Sequence, residues 1–78
     1  MSTGAMTLAE AMTIITEGCA ADERLTFSLS THPEGAMRAT MSYWGGADQY
    51  GWTHYCVHIL ADDAIITLAT ELSERGVL

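Results

Sequence analysis

The chain contains no lysine, and its three arginines face ten acidic residues, for a formal net charge of −7 over 78 residues. Without lysine there is little from which to build the basic stripe that neutralises phosphates, so direct binding to DNA or RNA is disfavoured. The same acidity keeps a small protein in solution and draws it toward a basic surface. Cysteine is nearly as scarce. Cys19 and Cys56 are too few for a disulfide framework and point to a reducing compartment. No apolar run approaches the roughly 18 residues that a membrane-spanning helix needs. The opening MSTGAMTLAEAMTIITEG has no basic segment before its apolar residues, and Glu10 and Glu17 interrupt those residues, which argues against a secretory signal. A cytoplasmic protein with no membrane contact is expected.

The length supports a single domain, residues 1–78, near the lower limit at which one core outweighs chain entropy. Residues 1–6 carry no periodic pattern and are expected to form a flexible N-terminal end. Thr7-Leu8-Ala9-Glu10 fits a capping box, and Leu8, Ala11, Met12, Ile15 and Cys19 recur at helical spacing. This helix should end between Gly18 and Ala21. From Leu25 the period changes to two, with Leu25, Phe27 and Leu29 alternating against Thr26, Ser28 and Ser30. THPEGA supplies a turn. In the next strand Met37, Ala39, Met41 and Tyr43 face the core.

A third strand follows the loop GGADQYG, and there the apolar Tyr55, Val57 and Ile59 are expected to point inward. That choice sends Trp52, His54, Cys56, His58 and Leu60 to the opposite face. It also sets Trp44 opposite Trp52, Ser42 opposite His54, Thr40 opposite Cys56 and Arg38 opposite His58. Asp62 or Asp63 can cap a last helix with its stripe at Ile65, Leu68, Ala69 and Leu72, and Gly76 suits the residue after its end. The reading is a two-layer α+β domain, α-β-β-β-α, with a three-stranded antiparallel meander and both helices on one face. The other sheet face is left uncovered.

Catalytic chemistry finds no support. His54, Cys56 and His58 alternate on one strand face, but such neighbours are about 6.5–7 Å apart, too far for all three to reach one tetrahedral ion. No metal and no cofactor are expected. Cys56 lacks an adjacent glycine-rich nest or helix start to stabilise an oxyanion, so the three residues are better read as candidates for a contact between two copies. Asp62-Asp63 before an apolar helix suits capping, and Glu71 and Glu74 suit a solvated helix face. A non-enzymatic role follows.

Five of the six aromatic residues, both tryptophans included, fall in YWGGADQYGWTHY at positions 43–55. In the expected register Trp44, Tyr50 and Trp52 have no core role, and exposed aromatics of this kind mark contact surfaces. Together with Asp48, Asp62 and Asp63 they form the expected partner-binding set. In length, in acidity and in its α+β layout, with Asp22, Glu23, Asp48, Asp62, Asp63, Glu71 and Glu74 spread along it, the chain resembles the small phage-encoded anti-CRISPR proteins that act on type I systems. That resemblance is one of kind and not of motif. It implies a protein inhibitor that occupies a basic nucleic-acid-binding surface on a type I CRISPR-Cas complex or its helicase-nuclease. The alternative is a homodimeric phage or prophage accessory protein, antitoxin-like, whose open sheet face meets its own copy through Trp44, Trp52 and Cys56.

Overall fold

The computed structural model describes residues 6–45 and 50–78, so the expected flexible end lies outside the described residues apart from Met6. Thr7 opens helix α1 (Leu8–Ala21) with the reciprocal capping box. Its side chain accepts from the Glu10 amide at 3.1 Å, and Glu10 Oε1 accepts from the Thr7 amide at 2.9 Å. That second bond holds the Glu10 carboxyl below its usual range. Strands β1 (Leu25–Thr31), β2 (Met37–Tyr43) and β3 (Trp52–His58) follow, and then helix α2 (Ala61–Glu74). The sheet is an antiparallel meander in the order β1-β2-β3, so the α+β arrangement α-β-β-β-α read from the periodicities is the observed one. Helix α2 ends in a Schellman motif, with the Gly76 amide on the Ser73 carbonyl and the Val77 amide on the Leu72 carbonyl. Gly76 takes the left-handed conformation this motif requires, at φ 78°.

Helix α2 is the centre of the fold. It packs on β2 and β3, while α1 packs on α2 and β1. Its Ala64, Ile65, Leu68, Ala69 and Leu72 meet Ala11 and Ile15 of α1 and Leu25, Ala39, Met41 and Cys56 of the sheet in one buried cluster. Both helices therefore cover the same sheet face. Across β1 and β2 the expected alternation holds, with Ser28 opposite Thr40 and Phe27 opposite Met41.

The third strand differs. Tyr43, not Trp44, pairs with Trp52; Met41 pairs with His54, Ala39 with Cys56 and Met37 with His58. A one-residue slip of a strand exchanges its two faces, so Trp52, His54, Cys56 and His58 lie on the helix side and Tyr55 and Val57 on the open side. Tyr55 is 56% exposed, and the Arg38 guanidinium lies 5.6 Å from its ring centroid. Two packing facts favour the observed register. Small residues, Ala39 beside Cys56, stand where α2 crosses the sheet, and Trp52 stacks on Tyr43 at 5.9 Å with 13° between the planes. At the end of this hairpin Gly51 approaches so closely that a Cβ there would lie 2.5 Å from the Tyr43 carbonyl oxygen.

Candidate functional site

The topology divides the molecule into two ends. The connection from α1 to β1 spans only Asp22 to Arg24, so the C-terminus of α1 sits at the Leu25 end of the sheet, where Tyr43 and Trp52 also lie. Trp52 and Arg75 line a common cleft, which puts the C-terminus of α2 at this end as well. The opposite end collects the β1–β2 turn with Glu34, the end of β3, and the N-terminal turns of both helices with Glu10, Asp62 and Asp63.

The expected partner-binding residues are thus not one site. Trp44 is 70% and Tyr50 98% exposed, at the hairpin end. Trp52 is half-buried in its stack on Tyr43, against the core. Asp48 lies outside the described residues. Asp62 and Asp63 are at the other end of β3, a strand of seven residues and so about 20 Å long. Neither caps α2. Leu60 is the N-cap residue and no side chain bonds there; both carboxylates are exposed in the first turn, where the helix dipole favours negative charge. Next to them, Ile59 is 83% and Leu60 61% exposed. Alternation places Ile59 inward, and its exposure is a correction to that expectation, whereas the outward position expected for Leu60 is the observed one. The signal available for Ile59 was its place after the last paired strand residue.

The second constellation is polar and half-buried. His54 and Cys56, two apart on β3, both reach the carboxylate of Glu71, three turns into α2. His54 Nε2 lies 2.6 Å and Cys56 Sγ 3.4 Å from Glu71 Oε1. Cys56 is buried, and His54 and His58 are half-buried. The three residues expected at a contact between copies are therefore on the helix-covered face, and the open face instead carries Thr26, Ser28, Ser30, Arg38, Thr40, Ser42, Thr53, Tyr55 and Val57. Burial and the bond to Glu71 push the Cys56 thiol up to about 11, which leaves it protonated at neutral pH and a poor nucleophile. Glu71 is held below the usual carboxylate range, first by the bond from His54 and then by that from Cys56. Alternation could not find Glu71, because its i, i+3 spacing from Glu74 reads as an outer helix face.

A carboxylate whose folded-state pKa is depressed contributes stability that is present above its unfolded value, here near 4.5, and is lost as pH falls through the folded value. The Glu71 side chain is 41% exposed, so its contribution is screened and stays below about 1 kcal/mol. In metal-free protein the stability difference between wild type and Glu71→Gln should be present at pH 6 and vanish on acidification below that range. Urea unfolding at a series of pH values reads it, and a constant difference would contradict the assigned cause. No protein-family model, curated protein or solved structure matches this chain.

Proposed function

We propose that the protein is a non-enzymatic, acidic protein-binding module that occupies a basic, phosphate-binding surface on another protein. The observation that carries this reading is the acidic-apolar end: Ile59 and Leu60 exposed beside Asp62 and Asp63, with Glu34 on the neighbouring turn. Carboxylates around an exposed aliphatic pair match a surface whose lysines and arginines hold phosphates along an otherwise flat groove. The carboxylates set encounter and orientation. The aliphatic pair supplies area removed from water, a contribution that salt does not screen. Arg24 and Arg75 lie at the far end, and Arg38, close to this end on β2, is turned to the open sheet face over the Tyr55 ring.

The resemblance to type I anti-CRISPR proteins supplies the partner to test, a purified RNA-guided surveillance complex or its helicase-nuclease. Binding measured by surface plasmon resonance should weaken as salt rises. Asp62→Asn/Asp63→Asn should lower the association rate at low salt by about tenfold, and Ile59→Ala/Leu60→Ala should act on dissociation. Trp44→Ala at the other end should bind as wild type. A salt-independent affinity, or loss of binding only in Trp44→Ala, would sink the reading. The homodimer alternative now lacks Trp52 and Cys56 on the open face; a stable dimer by light scattering would revive it through other residues.

A further inference from the structure

The His54–Cys56–Glu71 cluster contains three side chains of metal-binding type from two elements, with their donor atoms all within 4.8 Å of one another. We propose that this cluster is a binding site for one zinc-class divalent ion, held by His54 Nε2, Cys56 Sγ and Glu71 Oε1. The objection from strand spacing applies to three ligands on one strand. Here only two come from β3, and their side chains converge over the sheet on a carboxylate that α2 lowers onto them.

The distances fit. Zinc bonds of about 2.0–2.3 Å to nitrogen, oxygen and sulfur, arranged tetrahedrally, place ligand atoms about 3.3–3.6 Å apart. Cys56 Sγ and Glu71 Oε1 are already 3.4 Å apart, whereas the 2.6 Å contact of His54 Nε2 with Glu71 Oε1 must open to admit the ion. Glu71 is at the rim and two-fifths exposed, so it can make that movement. One thiolate, one imidazole and one carboxylate favour a borderline transition metal over calcium or magnesium, which want oxygen alone. On binding, the Cys56 thiol proton leaves to solvent, and His54 carries its one ring proton on Nδ1 so that a neutral imidazole offers its Nε2 lone pair to the ion. The two negative ligands then balance the charge of the ion.

Three protein ligands leave a fourth position. His54 also lines a cleft of about 230 Å³ with Trp52, Arg75 and Val77, so water or a small anion can complete the coordination there. Arg75 in that cleft favours an anion. The bound ion would pin β3 to α2 in addition to the core.

Cobalt(II) titrated into reduced, chelator-stripped protein is the direct test. One equivalent should bind with a thiolate-to-cobalt charge-transfer band in the near ultraviolet, and zinc should displace it. Cys56→Ser should abolish the band while Cys19→Ser keeps it. Glu71→Gln, a change at a part-exposed side chain that the fold tolerates, should weaken binding by more than the roughly 10- to 100-fold typical for loss of a metal's outer-shell partner. Zinc should also raise the thermal midpoint of the wild type and not that of Glu71→Gln. Absence of the band with cobalt in excess, its survival in Cys56→Ser, or undiminished affinity in Glu71→Gln overturns the proposal.

Discussion

Replacing Leu68 by alanine should remove a large share of the protein's stability. Leu68 is fully buried midway along α2, the element that touches both β2 and β3 and also α1. Leucine-to-alanine changes at such sites cost about 2–5 kcal/mol, because the lost transfer energy is joined by that of an uncollapsed cavity. A domain of this length has roughly 4–12 kcal/mol in total at typical values per residue. Around half of that, or more, is therefore removed. In urea unfolding followed by circular dichroism, the midpoint should fall by about 2 M or more. Leu60→Ala, exposed just before the same helix, should stay within about 0.5 kcal/mol of wild type. A Leu68→Ala protein that loses less than about 1 kcal/mol would contradict a core centred on α2.

Adjacent residues on β3 should respond in opposite ways. Cys56→Asp puts a carboxylate in the buried cluster, beside Glu71 and under α2. An unpaired buried charge costs about 3–5 kcal/mol, so this variant should fail to fold or populate a compact state without fixed packing. Tyr55→Thr removes a large aromatic from the neighbouring position, yet Tyr55 stands on the open face. Its cost should be limited to the stacking of Arg38, about 0.5–1 kcal/mol. Stability measured side by side decides the strand's orientation. If Tyr55→Thr were the damaging change and Cys56→Asp the mild one, β3 would be turned as its apolar alternation suggests.

That orientation is where the sequence misleads. Thr7 and Glu10 fix the start of α1 by local hydrogen bonds, and Gly76 fixes the end of α2 by its backbone, so both are legible from a few neighbouring residues. The stripe Ile65, Leu68, Ala69 and Leu72 is equally legible, since one helix face collects it. In β3 both faces are mixed. Tyr55 and Val57 look more apolar than His54 and Cys56, but the inward position goes to the pair that α2 can satisfy. Glu71 makes polar residues acceptable beneath the helix, and the small Ala39 and Cys56 allow that helix to sit close.

The candidate sites follow the same division. Charge is a property of composition and needs no fold. Which carboxylates gather at one end depends on the direction in which the helices run along the sheet. The sequence by itself determined the element order, the start of α1, the end of α2, the inward faces of β1 and β2 and the net acidity, because each depends on composition or on residues within a turn or two of one another. Only the tertiary structure decided the register of β3, the meeting of His54 and Cys56 with Glu71, and the exposure of Ile59. Those features depend on which side chains another element places opposite, and local periodicity carries no record of that.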